Sequence, residues 1–446
     1  MAQQQIGRDV QVPSLFSKAL NGVSVKHCKN TAGSAAVRMP VPEKVVIPML
    51  QHMGAPCEPL VKVKDTVTVG QLLGDSDAFL SAPIHSSVSG TVTAIDEFIT
   101  AGGDKCKSIT ITTDGQQTVC PDVAPPVVNS REDLIKAARN CGLVGLGGAG
   151  FPTHIKLNPK NLSEVDTLVV NGAECEPFIT CDMRLMLDRA ESIVGGIKTV
   201  MKYLELKTCV IGIESNKPEA IEAMTKAVEG LPGVSVLTMK SSYPKGAEKV
   251  IIYEATGRVV EEGKLPADAG VIAMNVATIS KLYDYLQTGM PLVEKMLTID
   301  GGSIAEPKNI IAPIGTLIKD MVAFCGGYKS EPRKLLMGGP MMGICVMSDD
   351  FPLLKNNNAI LAFDEAQCRT VKETACIRCG RCLRACPFDL APAAMDKAYH
   401  MGNVDKLREL KVNLCMECGS CSYVCPAHRE LAMYNKLGKR LLREAK

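Results

Sequence analysis

The chain has 446 residues, 46% of them hydrophobic and 22% charged, enough for about three domains with sizeable cores and far from the composition of a disordered chain. A net charge of +2 argues against a dedicated nucleic-acid binder, and 4% aromatics with no Trp weakens any reading built on stacking platforms for sugars or single-stranded nucleic acid. No apolar run reaches the roughly 18 residues of a bilayer span, and "MAQQQIGRDVQVPSL" lacks the basic-then-apolar order of a signal peptide; a cytoplasmic location is expected, with a peripheral place on the cytoplasmic face of the membrane through partner subunits left open.

Residues 1–44 read as a polar, irregular N-terminal arm. From Val45 the texture changes to short alternating runs, "KVVIPM", "EPLVKVKDTVTVGQLLG", "APIHSSVSGTVTAIDEF" and "KSITITT", punctuated by Gly and Pro as half-buried strands are. They predict a small β-sandwich over 45–120, similar to the barrel-sandwich hybrid of biotinyl and lipoyl carriers. Such carriers hold their cofactor on a hairpin lysine, and Asp75 to Ala82 contains none, so a structural sandwich is expected. A Pro-rich break, "CPDVAPPVV", closes this unit.

Over 128–290 helix and strand patterns alternate. "SREDLIKAARNCG" predicts a helix capped by Ser130 and ended by Gly142. "DTLVVNG", "KTCVIGIES" and "VSVLTM" predict strands. "DMRLMLDRAESIVGGIKTVMKYLEL" predicts one helix with a weak point at Gly-Gly, and "KPEAIEAMTKAVEGL" another. This alternation implies a three-layer α/β domain on a parallel sheet. Residues 291–345 shift to short strands, turns and one helix, and resemble a soluble-ligand-binding (SLBB-like) β-grasp module. A cysteine-rich segment, 366–446, follows and ends in a basic helix; its tail from Arg429 to Lys446 reads as a solvated face or a dock for an acidic partner.

Of 19 cysteines, eight fall in two tight groups between Cys376 and Cys425. Cys376, Cys379, Cys382 and Cys386 spell C-x2-C-x2-C-x3-C-P, and Cys415, Cys418, Cys421 and Cys425 repeat it. Three thiolates two residues apart wrap one cubane, while the fourth ligates the other cluster. The predicted sets are Cys376, Cys379, Cys382 and Cys425 for one [4Fe–4S] cluster, and Cys415, Cys418, Cys421 and Cys386 for the second. A pair of zinc sites would need four ligands from each group alone, and the trailing prolines and full duplication do not favour it.

"GLVGLGGAGFPTHIKL" places five glycines in nine residues. Gly145, Gly147 and Gly150 satisfy G-x-G-x-x-G, but a Rossmann site needs a strand before the first glycine and a helix opening at the last. Here a helix precedes and Phe151-Pro152 follows. Bare N–H groups of Gly145, Gly147, Gly148 and Gly150 instead predict a phosphate nest with Lys156 as a nearby charge; an ordinary flexible glycine turn is the alternative.

"GLGGAGFPTHIK" followed by "VVNGAECEP" resembles the flavin site of the NADH-oxidising flavoprotein subunit of respiratory complex I. A closer resemblance, from about Val45 to Pro426, is to the RnfC family, carried by "QHMGAPCEPLVKV", "SAPIHSSVSGTV", the glycine loop, "NVAT", "GGPMMG" and the doubled cluster motif. The resemblance implies FMN in the α/β domain. It carries over Asn171, Glu174 and Glu176 from "NGAECEP", Tyr243, Gly246 and Glu248 from "YPKGAE", and Asn275 and Thr278 from "NVAT" as cofactor-binding positions. It sets Phe151 and Glu174, with Glu176, near the nicotinamide and ribose of NADH; Cys175 reads as a packed thiol. The implied function is electron input: hydride from NADH to FMN, then single electrons through two [4Fe–4S] clusters to a partner. That partner is either the other subunits of a membrane Rnf complex or a soluble enzyme such as a methylenetetrahydrofolate reductase. The alternatives are a cobalamin reductase-like flavoprotein and a non-catalytic iron–sulfur relay or scaffold.

Overall fold

A computed structural model describes residues 20–368 and 371–445; the first nineteen residues of the expected arm lie outside them. The alternating runs after the arm fold into two facing antiparallel sheets. One is built from Lys44–Pro48, Lys105–Thr113, Gly90–Ile99 and Thr66–Val67, the other from Glu58–Pro59, Leu72–Asp75 and Ile84–His85. Val45, Ile47, Leu73, Ile84 and Ile109 meet between them, as the two-residue period of a strand requires. At the turn where a carrier would hold its lysine, the Asp75 carboxylate instead accepts two hydrogen bonds from Arg139, 2.9 and 3.0 Å long, which fasten the sandwich to the next domain.

That domain opens with the helix Arg131–Asn140. Ser130 caps it through a reciprocal pair with Asp133, and the chain leaves through Gly142 at φ +64°. Four parallel strands follow in the order Val234–Met239, Thr208–Glu214, Thr167–Asn171, Val271–Asn275. Leu168 and Val170 face one helical layer and Val169 the other, where the helix Glu248–Thr256 supplies Ile251 and Ile252. The expected single helix is two, Cys181–Asp188 and Ala190–Leu204, and it breaks at Arg189 rather than at Gly-Gly. The glycines serve close packing instead: a Cβ on Gly196 would stand 2.2 Å from the carbonyl oxygen of Ile279.

The fourth sheet reaches across two expected boundaries. Its six strands run in the order Val37–Arg38, Lys308–Pro313, Glu294–Asp300, Ala359–Phe363, Lys334–Met337, Ile344–Val346. It therefore extends past residue 345 to take in Ala359–Phe363, a fully buried apolar run in the interior of the sheet. It also recruits Val37 and Arg38, which pair in parallel with Ile310 and Ile311, so the arm is not irregular throughout. The cysteine segment is helical, with Arg381–Ala385, Pro392–His400, Val404–Glu409, Ser420–Tyr423 and Leu431–Glu444. The last helix is not a free basic tail. Leu431, Asn435, Gly438 and Leu442 are buried, and Lys439 turns inward to donate to the Cys415 carbonyl at 2.8 Å.

Candidate functional site: a glycine loop and two cysteine loops on one sheet edge

The carboxyl-end edge of a parallel sheet is where loops converge to hold ligands, and most of the residues singled out in the sequence gather there. The glycine loop is held from behind. Leu146 N–H donates to the Thr278 hydroxyl at 2.9 Å, and the buried Lys295 ammonium donates to the Leu146 carbonyl at 2.9 Å. Asn356 donates to the Gly148 carbonyl at 2.8 Å, and Gly145 N–H to the Phe151 carbonyl at 2.8 Å. Gly147, Gly148 and Ala149 are exposed, and among the described residues their N–H groups have no protein acceptor. A Cβ on Gly147 would come within 3.1 Å of Asn275. Unpaired N–H groups on an exposed, braced loop are the donor set a phosphate needs, so the loop fits FMN. Lys156, the nearby charge expected beside it, has a partner of its own. It pairs with Glu248 and stands 6.0 Å from the centre of the half-buried Phe151 ring.

The acidic loop after Thr167–Asn171 is bound to backbone. Glu174, at φ +44°, accepts from the N–H groups of Asp182 (2.6 Å) and Met183 (3.2 Å) at the start of their helix. Glu176 accepts from Met341 (3.0 Å) and Met342 (2.9 Å) in the "GGPMMG" turn. Gly339 leaves room for this, because a Cβ there would overlap the Glu176 carboxylate at 2.4 Å. Burial pushes both carboxyls upward, Glu176 to about 7. As placed, these two carboxylates, expected near NADH, position loops. Asn171 likewise bonds locally, to the Gly246 carbonyl and from Ala173 N–H, and Gly246 N–H donates to the packed Cys175 thiol. Asn275 caps its helix through Ala277 N–H and donates to the buried Asp182 carboxylate at 2.6 Å. This links the acidic loop to the glycine loop. Tyr243 is fully buried, and its hydroxyl donates to the Cys418 carbonyl at 2.7 Å, so it touches a cysteine loop and offers no hydroxyl to the glycine loop.

Cys386, Cys415, Cys418 and Cys421 line one apolar cavity with Phe388 and Asn435. Burial raises the Cys386, Cys415 and Cys421 thiols, the last to about 12. A thiol so placed becomes a thiolate only against a strong positive centre, which fits a cluster and its release of protons on binding. Of the other four, Cys382 is buried and Cys425 half-buried beside Leu431, while Cys376 and Cys379 are exposed.

The family comparisons follow the same division of the chain. Models described as the RnfC barrel sandwich hybrid domain, the Nuo51 FMN-binding domain, the SLBB domain and the 4Fe-4S dicluster domain match residues 18–116, 138–284, 296–344 and 369–426. The chain is 44% identical over 371 residues to a subunit of the proton-translocating ferredoxin:NAD(+) oxidoreductase complex of Clostridium ljungdahlii, covering 82% of this chain and 81% of that protein. The chain belongs to the RnfC family. The corresponding subunit of the Na(+)-translocating ferredoxin:NAD(+) oxidoreductase complex of Acetobacterium woodii is 43% identical over 354 residues, covering 79% of this chain and 80% of that protein. A Rhodobacter capsulatus relative, from an ion-translocating oxidoreductase complex, is 39% identical over 372 residues, with 82% and 72% covered. A chain of an NAD+-reducing [NiFe]-hydrogenase shares the fold with a TM-score of 0.50 at 15% identity, covering 71% of this chain and 63% of its own. Like the rest of the family, the chain is a flavin and iron–sulfur oxidoreductase, with an FMN-binding domain and a 4Fe-4S dicluster domain. No helix among the described residues is long and apolar enough to cross a membrane.

Several residues that shape the site carried no signal in the sequence. Lys29 of the arm donates to the carbonyls of Glu174, Glu176 and Ile179, and Lys217 to the Ala173 carbonyl. Lys355 holds the Gly142 carbonyl at 2.8 Å. A lysine in an apolar context has no spacing rule that marks it as buried; only the tertiary fold brings carbonyls to meet it.

Proposed function

We propose that this chain is the NADH-oxidising input subunit of an ion-translocating Rnf-type complex, placed at the cytoplasmic face of a membrane by the complex's other subunits. The observation that carries this reading is the convergence of the braced, exposed glycine loop and a four-cysteine cavity on one edge of the parallel sheet. FMN held there would supply the conversion of a two-electron hydride into single electrons. The chain's own residues do the rest: Gly147, Gly148 and Ala149 offer N–H groups to the phosphate, and Phe151 gives an apolar wall for the nicotinamide. Glu174 and Glu176 hold the surrounding loops, and Lys156 and Glu248 close the rim as an ion pair. Cys376, Cys379, Cys382 and Cys425 would hold one cluster, and Cys415, Cys418, Cys421 and Cys386 the other. The working units are an arm (1–44), a barrel-sandwich hybrid (45–120), the FMN/NADH domain (128–290), a β-grasp module that begins at 291, and the cluster domain (366–446).

The test is anaerobic purification, assay of iron, sulfide and FMN, and viologen reduction by NADH against NADPH. About eight irons, one FMN and rapid reduction by NADH are expected. Full iron with no flavin and no NADH activity after added FMN would leave only an electron relay.

A further inference from the structure

Building on the input-subunit reading, we propose that the two cluster sites have a fixed order and that the outer one carries the docking surface. The site of Cys386, Cys415, Cys418 and Cys421 receives electrons from the flavin domain. The site of Cys376, Cys379, Cys382 and Cys425 delivers them to an acidic redox protein that seats on Arg378, Arg381 and Arg384.

The order follows from what packs on each loop. Tyr243, from a loop at the carboxyl-end edge of the parallel sheet, reaches the Cys418 carbonyl directly. Cys175 and Met341 join Tyr243, Cys418, Met416 and Val424 in one apolar junction. Met341 is in turn held by Glu176 of the flavin-side loop, and a Cβ on Gly419 would stand 3.0 Å from the Met341 carbonyl oxygen. The Cys415–Cys421 loop is thus clamped against the edge that carries the glycine loop. The Cys376–Cys382 loop faces solvent: Cys376 and Cys379 are exposed, with Ile377 67% and Leu383 47% exposed beside them.

The occupant follows from charge. Arg378, Arg381 and Arg384 are exposed, and among the described residues none makes an ion pair. The two acids nearest in sequence are engaged elsewhere: Glu373 is turned to Arg429, and Asp389 accepts from Asn21 at 2.7 Å. Three unpaired guanidinium groups around exposed cluster ligands, with two apolar side chains among them, suit a partner with an acidic rim around a redox centre of its own. The transfer balances simply: one electron leaves the outer site and one reduces the partner's centre, with no bond made or broken.

The probe is an acidic [2Fe–2S] ferredoxin presented to the full, cofactor-loaded chain. Arg378→Glu, Arg381→Glu and Arg384→Glu together should weaken its binding at least about tenfold at low ionic strength, and added salt should weaken the unaltered chain in the same way. NADH-driven reduction of the clusters, followed by absorbance, should be unchanged. Equal affinity in variant and parent overturns the docking surface. For the order, the electron paramagnetic resonance signal perturbed by Tyr243→Phe should be the first to appear on rapid freezing after NADH; the other signal appearing first overturns it. In Cys379→Ala, NADH should still reduce one cluster while ferredoxin reduction is lost; reduction of no cluster in a folded variant counts against the order. A parent chain whose clusters NADH does not reduce would sink the input-subunit reading itself. Ferredoxin affinity, which needs no NADH, would still decide the surface, and dithionite reduction would still show which signal Tyr243→Phe perturbs.

Discussion

Asn435 shows how a single side chain tunes the inner site. It is 1% exposed, and its amide donates toward the Cys415 sulfur at 3.9 Å from the middle of the last helix. A hydrogen bond to a ligand sulfur stabilises the reduced, more negative cluster and raises its potential. Asn435→Leu should therefore lower the midpoint of one cluster only, by tens of millivolts, since about 59 mV corresponds to a tenfold change for a one-electron couple; a redox titration monitored by electron paramagnetic resonance reads this directly. Glu176 makes a prediction about pH. Burial holds its carboxyl near 7 against an ordinary 4.5. Because the folded value is raised, its contribution to stability is complete below about 4.5 and is lost as pH rises through 7. Glu176→Gln should flatten that part of the profile, by ~1–3 kcal/mol between pH 4.5 and 8. Calorimetric scans across the window check it, and an unchanged slope would assign the dependence to Glu174, which shifts in the same direction.

Helix propensity and helix packing give opposite answers at Gly196, which makes it a clean test of which one governs the element. Alanine in a helix interior gains about 1 kcal/mol over glycine. Here the new Cβ would meet the Ile279 carbonyl oxygen at 2.2 Å and separate Ala190–Leu204 from Val276–Thr288. Gly196→Ala should thus destabilise the flavin domain by ~1–3 kcal/mol, as overpacking does, and lower its melting transition. A rise in that transition would show that propensity wins. The same pair of glycines marks what the sequence conceals. Elements with a strong pattern were legible: the sandwich strands, the capped helix after Ser130 and three of the four parallel strands fall where the residue pattern puts them, while Val271–Asn275 was not read as a strand. The spaced cysteines were legible because cluster ligation itself imposes the spacing. The Gly-Gly pair looked like a weak point because periodicity along one helix says nothing of the neighbour it touches. Val37–Arg38 is too short to show a period, and Ala359–Phe363 is apolar on both faces, so neither announced its place in the six-stranded sheet.

At the scale of the whole molecule, the residues between Val23 and Arg38 act as a strap. Val23 bridges to Tyr243, the His27 carbonyl accepts from Phe178 N–H, and the Thr31 carbonyl accepts from Asn309 of the six-stranded sheet. At its centre, the three donors of the Lys29 ammonium go to the carbonyls of Glu174, Glu176 and Ile179, leaving none unused. Those carbonyls belong to the loop whose side chains anchor both the helix after it and the "GGPMMG" turn, so one arm residue fixes the loop between the glycine nest and the cluster domain. Burial lowers the Lys29 pKa, and Glu174 nearby opposes that shift. Lys29→Met keeps the length of the side chain while removing the charge and all three donors, which leaves buried carbonyls unpaired at ~1–3 kcal/mol each if no water reaches them. The loop should loosen, and with it the flavin site. FMN affinity, read from the fluorescence of released flavin on dilution, should fall at least about tenfold, the equivalent of 1.4 kcal/mol. Iron and sulfide content should stay at the parent level, because the cysteine loops fold on contacts that Lys29 does not make. Loss of iron alongside flavin would mean that the strap holds the whole assembly together rather than this one loop, and unaltered flavin affinity would reduce Lys29 to a packing residue.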